Sequence, residues 1–188
     1  MKTRILTLVA LFAFATISTA VAQEKKVNVK ESKITWTGHK VIGQHEGTIN
    51  IKEGTLKFKD GKLVDGMFTI DMTTINTTDL SGESKGNLDG HLKSDDFFGV
   101  AKFPTATLKF RKVVETDDNV YRVAANLTIK GIKSPVAFNL ELESNSAETK
   151  LKVDRTKYGI KYGSASFFDG LKDKAISDEF DLQVELKF

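Results

Sequence analysis

The side chains that could do chemistry here are three histidines, Arg155, and a scatter of serines and aspartates. His39 and His45 flank Gly43, so a chain doubling back at that glycine can bring two imidazoles together. A zinc site, however, needs a full ligand set with neighbours that fix each ring. The surrounding sequence offers none, and no metal is expected. His39 has outward strand parity and is read as solvated. His91 follows Leu88 at helical spacing and is read as half-buried. His45, between Gly43 and Gly47, is the histidine best placed to meet a ligand headgroup.

Cysteine is absent, which excludes thiol nucleophiles, thiolate metal sites and disulfides. There is no glycine-rich phosphate loop, His-Glu-x-x-His or dinucleotide fingerprint. The serines and aspartates are not read as a triad. No catalytic residue and no cofactor is expected, and the chain is read as a non-enzyme. The formal charge is +3; Lys2 and Arg4 supply two of these charges, leaving +1 for the rest. A nucleic-acid binder gathers a strong basic excess on one face, whereas lysines and acids here alternate along strands. No nucleic-acid partner is expected.

The first residues read as a leader. A basic start precedes the apolar run Ile5 to Ile17, and Ala20-Val21-Ala22 has the small-x-small pattern of a cleavage site. Residues 1–22 are therefore expected to be a signal peptide. Residues 23–188 are expected to form a single domain, periplasmic or secreted after cleavage near Ala22, with no stable membrane insertion. The oligomeric state is open, and a homodimer is compatible with this reading.

The elements that must position these side chains are strands. Phe180, Leu182, Val184, Leu186 and Phe188 alternate with polar residues, as do Tyr121, Val123, Ala125, Leu127 and Ile129. A period of two makes one face dry and one wet. Many such runs predict an all-β antiparallel sheet, closed or folded on itself, and about eight strands suffice to enclose a core or a small ligand. Asp60-Gly61 predicts a hairpin between Thr48–Phe58 and Leu63–Met72. Gly43 and Gly47 predict a bend around His45. Gly131 and Pro135 predict a turn before Val136–Glu143, and Thr149–Arg155 reads as strand. The rhythm stops from Thr73 to Phe103, where one short helix is expected around Asn87 to Ser94. It stops again from Tyr158 to Lys174. Such connections serve as functional lids or as plugs sealing a barrel end.

Several segments stand in a familiar order: Trp36-Thr37-Gly38-His39-Lys40; Gly43-Gln44-His45-Glu46-Gly47; and Ile70-Asp71-Met72-Thr73-Thr74-Ile75. Then come Leu88 to Phe98, Phe103-Pro104-Thr105-Ala106, Leu127 to Gly131, and Asp154-Arg155 followed by Tyr158-Gly159-Ile160. Together they resemble the YceI-like family across residues 23–188. The resemblance implies an extended lipocalin-like antiparallel barrel, to which the residue pattern adds one short helix and an irregular cap. It also implies export, an apolar tunnel, and binding of a polyisoprenoid or related amphiphile. It carries no catalytic residue over.

Strand parity, not the resemblance, supplies the candidate lining: Trp36, Ile49, Phe68, Ile70, Met72, Leu108, Phe110, Tyr121, Val123, Phe138, Leu140, Phe180 and Leu182. Ile34, Ile51, Leu127 and Val184 share that inward parity. Phe97, Phe98, Phe103, Phe167 and Phe168 lie in irregular segments, where they can gate a tunnel or seal its end. Arg155 starts on the inner face; it can hold a headgroup or act as a strut paired with Asp96 or Asp169, the strut being preferred. His45 completes the candidate ligand-binding set. The resulting expectation is an exported protein that sequesters or carries a long apolar amphiphile, a polyisoprenoid or isoprenoid quinone, as its bound lipid. The alternative is a filled-core barrel acting as a stress-related interaction protein.

Overall fold

Each alternating run becomes a strand in the computed structural model, which describes residues 22–188. In chain order they are β1 (Ala22–Lys26), β2 (Lys33–Lys40), β3 (Gln44–Lys59), β4 (Lys62–Thr77), β5 (Thr105–Asp117), β6 (Val120–Ile129), β7 (Ile132–Leu142), β8 (Ser146–Asp154) and β9 (Ile176–Lys187). One helix, α1 (Gly82–Lys93), lies between β4 and β5. The expected leader lies outside the described residues, apart from Ala22.

Strands β2 to β9 form a closed antiparallel barrel of eight strands, ordered β3-β2-β9-β8-β7-β6-β5-β4, with β3 and β4 closing the ring. β3 is long enough to carry two partners on one edge: β2 pairs with Gln44–Ile49, and β1 with Thr55–Lys59. The closure removes exposed ladder edges. The inward set is buried or packed against the core: Ile34, Ile49, Ile51, Phe68, Met72, Phe110, Val123, Phe138 and Leu140 are buried, and Trp36, Ile70, Leu108, Phe180, Leu182 and Val184 pack against them.

The two barrel ends are built differently. At one, Asp60-Gly61, Asp118-Asn119 and Ser144-Asn145 turn tightly; Asp60 (φ 52°) and Gly61 (φ 80°) adopt the left-handed pair that a two-residue hairpin needs. This is the hairpin end. At the other lie the β2–β3 turn, the long β4–β5 connection with α1, the Lys130-Gly131 turn, and the β8–β9 connection with 3-10 turns at Arg155–Tyr158 and Lys172–Lys174. This is the cap end.

Four features depart from the sequence expectation. Gly47 lies inside β3 rather than in a bend; a Cβ there would strike the Trp36 ring and the Asn76 carbonyl. β4 continues past Met72 to Thr77. α1 begins at Gly82, not Asn87, because Gly82, Gly86 and Gly90 weaken the helical signal by about 1 kcal/mol each relative to alanine. Pro135 sits within β7 opposite Asn126, not in a turn. There β7 has β6 as its ladder partner while β8 pairs only with Leu140–Leu142, an edge-like setting that tolerates proline.

Candidate functional site

Two cavities lie in series inside the barrel. The upper one, under the cap, has about 140 Å³ of room for the centres of water-sized spheres. Strand residues Trp36, Ile49, Ile70, Met72, Phe180 and Leu182 line it, and Leu92, Phe97 and Phe98 close it from above. The lower one, about 80 Å³, is lined by Phe68, Leu108, Phe110, Phe138 and Leu140 among others. Ile34, Ile70, Leu127 and Leu182 border both and form a waist between them. Carbon makes up both walls. An apolar void of this kind stays dry and takes an apolar guest in preference to water.

The cap is anchored by polar bonds rather than by its own burial. α1 has no buried residue and no side-chain bond at its N-terminus. It is tied down where Asp89 accepts a hydrogen bond from the Thr77 amide at 2.8 Å and Lys85 donates to Asn76 at 2.7 Å. Burial pushes the Asp89 carboxyl up, but bonds from Lys85 and Thr77 outweigh it and hold it below the usual range. Beyond the helix, Phe97 turns inward and is buried. His91 packs edge-on against Phe97 (5.0 Å) and Tyr162 (4.5 Å), and its Nε2 is buried without a hydrogen-bond partner. Phe98 packs between Phe97 (6.3 Å) and Phe180 (6.4 Å).

Arg155 is 3 % exposed and borders the upper cavity. Its Nε donates to the Ser177 carbonyl (2.8 Å), Nη1 to Ile160 (3.0 Å) and Nη2 to Ile176 (3.0 Å). Asp178 stands 3.8 Å away, and the guanidinium lies 5.8 Å from the Phe97 ring centre. Burial lowers the guanidinium's pKa, with Asp178 and Asp154 opposing. The strut reading holds, but with Asp178 and three carbonyls in place of Asp96 or Asp169. The strut locks the β8–β9 connection onto the start of β9.

Other candidates fall elsewhere. His45 Nδ1 meets Asp79 at 2.8 Å and does not line either cavity. Burial raises Asp79, but the bonds from His45 and the Glu46 amide dominate and hold it low. Phe103 packs near Gly99 and Gly131 and lines neither cavity. Tyr121 and Val123 are buried in the filled core toward the hairpin end, and Phe168 is exposed. His39, read as outward and solvated, is partly exposed at the rim of the upper cavity, with Nε2 2.8 Å from Asp181. Asp181 alternates with the cavity-lining Phe180 and Leu182 and is also bound by exposed Lys152, so the His39 ring stands on the outer face that its parity predicts. Lys152 first, then His39, hold the Asp181 carboxyl below its ordinary range.

The sequence reading also missed Ile75, Leu92, Ala106, Ile129, Ile176, Ser177 and Glu179 at the upper cavity. Ile129 continues the parity of Leu127, and extending that strand would have found it; Ile75 lies three residues past Met72, out of step with the alternation, so a period of two passes it over. It further missed that Gly82-Glu83-Ser84-Lys85-Gly86 has the letters of a nucleophile elbow. That motif requires serine on a tight strand-to-helix turn. Ser84 instead lies exposed inside α1, and Lys85 is committed to Asn76 and Asp89.

Residues 26–188 match the YceI-like domain. The chain belongs to the YceI-like family. It is 32% identical over 151 residues to a UPF0312 protein of Enterobacter sp. (strain 638), covering 76% of this chain and 73% of that protein. It is 32% identical over 144 residues to Protein YceI of Salmonella agona (strain SL483), covering 70% of each. Among solved structures, Burkholderia cenocepacia BcnA shares the YceI-like fold at TM-score 0.69 and 20% identity, over 85% of this chain and 98% of that one. A polyisoprenoid binding domain from Saccharophagus degradans, implicated in plant cell wall breakdown, shares it at TM-score 0.58 and 13% identity, over 89% and 97%.

Proposed function

We propose that this YceI-like protein is an exported carrier or sequestering protein for one long apolar amphiphile of the polyisoprenoid or isoprenoid-quinone class, and that it binds without catalysing a reaction. The observation that carries this reading is the pair of carbon-walled cavities that adjoin along the barrel and share Ile34, Ile70, Leu127 and Leu182 as a common wall. Their serial arrangement along the barrel suits a chain rather than a compact ligand. Each buried CH₂ contributes about 0.8 kcal/mol, which chain ordering and lost freedom of motion partly offset. The name of the Saccharophagus degradans structure neighbour, a polyisoprenoid binding domain, supports the same class of ligand. Among the polar side chains at the upper cavity, Arg155 is committed to three carbonyls and His39 to Asp181, while Glu179 is exposed. The tail therefore threads the barrel while its headgroup stays at the cap end.

Native mass spectrometry of protein purified from its own host, with extraction and identification of the bound lipid, tests the reading directly. A stoichiometric isoprenoid is the expected result; a protein that is ligand-free and leaves the fluorescence of its single tryptophan, Trp36, unchanged on isoprenoid titration would refute it. N-terminal sequencing of the same sample tests export, with a start at Gln23 expected and an intact Met1 start in the cytosolic fraction opposing it.

A further inference from the structure

The cap end carries an apolar surface that the cavity does not use. Val41 and Ile42, at the tip of the β2–β3 turn, are 62% and 70% exposed. Phe167 and Phe168, on the β8–β9 connection, are 47% and 50% exposed. Val41 and Ala165 lie on one shallow groove, so the two loops form one surface. Ile176 and Ser177 border both this groove and the upper cavity, so the surface adjoins the cavity.

Its charge is lopsided. The connection, the turn and the groove between them present exposed Lys40, Lys161, Lys172 and Lys174 against exposed Asp169 and Asp173 and the partly buried Asp178 that lines the groove. The Lys161 ammonium lies 4.5 Å from the centre of the Phe167 ring, its cation held beside an apolar group that faces solvent. Exposed apolar patches mark interaction sites. Protruding aliphatic and aromatic tips among lysines are the chemistry that enters the boundary between headgroups and acyl chains of an anionic bilayer.

We infer that the cap-end loops around Val41, Ile42, Phe167 and Phe168 dock the barrel reversibly onto an anionic lipid bilayer. The docked orientation turns the cap toward the lipid, so an amphiphile can pass between bilayer and upper cavity with little of its tail in water. This use of the surface rests on the lipid-carrying reading; the docking itself does not.

Vesicle flotation tests it, using protein purified from its host with its N-terminus determined. Phosphatidylglycerol-rich vesicles are compared with pure phosphatidylcholine at low and high salt. The wild-type protein is expected to float with the anionic vesicles and to be released by salt. The double substitutions V41S/I42S and F167S/F168S should each lower partitioning at least tenfold. Removing Lys172 and Lys174 with glutamine should lower it by about fivefold per charge. Binding of geranylgeraniol, read by native mass spectrometry without vesicles, should persist in all variants. Wild-type protein that stays off every vesicle, or double variants that float as well as wild type, would overturn the proposal. A dimer in light scattering that the same substitutions dissolve, without vesicle binding, would assign the patch to a second copy and overturn it too. Flotation without geranylgeraniol binding would leave docking standing and count against the carrier reading instead.

Discussion

The hairpin end and the cap end of this barrel solve the same problem by opposite means. At the hairpin end, tight turns bring carbon together: Leu56 and Leu63 are buried, Phe58 lies 6.2 Å from Phe188, and Lys25 covers both rings. Nothing there must open. At the cap end, long connections are fastened by a few polar bonds, among them those of Arg155, Asp89, Asp79 and Asp178. The cavity lies under that end. Carbon packing spreads its stabilisation over many contacts, whereas a polar strap concentrates it in single residues. The sealed end thus resists any one substitution better than the strapped end, and the strapped end is the one able to admit a ligand.

The sharpest way to break that contrast is Arg155→Met. It orphans three carbonyls and leaves Asp178 without its counter-charge, at an expected loss of about 3–5 kcal/mol. Denaturant unfolding measures the loss, and hydrogen exchange should show cap-end amides released first. A loss under about 1 kcal/mol would mean that the strap is not concentrated in Arg155.

Next come the two rings of the cap. Phe97 is buried against His91, Tyr162 and Phe98, whereas half-buried Phe98 borders the cavity beside Phe180. Phe97→Ala should lower stability by about 1–3 kcal/mol and loosen binding with it. Phe98→Ala should act chiefly on ligand dissociation, with a similar magnitude, because a gate slows escape more than it guides entry. Melting temperature and dissociation rate measured on both variants separate the roles. Unchanged dissociation in Phe98→Ala alongside a stability loss would make the whole cap a seal.

Parity made the walls of this barrel legible and left its axis illegible. Val123 and Leu127 share one face of β6, yet Val123 sits in filled core and Leu127 at the waist. A period of two assigns a face, not a height along the barrel. The outward face of His39 was legible from parity, but its partner Asp181, 142 residues away, was not. The partners of Arg155 could not be read because backbone carbonyls, being identical in every residue, leave no mark in sequence. α1 was half seen because its glycines hide it and tertiary anchors hold it. Order of segments, rather than any local motif, made the YceI-like fold recognisable.

The difference between waist and filled core yields a smaller and more selective effect. Leu127→Trp should narrow the passage between the cavities and weaken binding of a long isoprenoid about tenfold relative to a short one, which needs only the upper cavity. Val123→Trp should instead overpack the core, costing about 1–3 kcal/mol of stability without altering the preference for chain length. Titrating both variants with isoprenoids of two lengths decides it. Equal weakening of both lengths by Leu127→Trp would mean that the cavities do not act in series.

The smallest effect expected is that of acid. At the cap end Asp79, Asp89, Asp178 and Asp181 all have pKa values below the ordinary carboxylate range. For Asp178 burial acts upward, but bonds from Ser164 and Ser166 and the charge of Arg155 prevail. A carboxylate with a depressed folded-state pKa contributes stability that is fully present above the unfolded value, near 3.9, and is lost as pH falls through the folded value. Acidification from neutrality should therefore change little down to about pH 5 and loosen the cap below about pH 4. The carbon contacts around Leu56 and Leu63 at the hairpin end do not titrate. Hydrogen exchange at pH 7 and pH 3.5, corrected for intrinsic rates, should show protection falling in α1 and the β8–β9 connection while the amides around Leu56 and Leu63 hold. Asp89→Asn should bring part of that loosening to neutral pH, because an amide weakens the tie to Lys85 while its oxygen still accepts from the Thr77 amide. Uniform loss of protection at both ends would show that the straps and the seal unfold as one unit, and the contrast between the ends would then be one of shape alone.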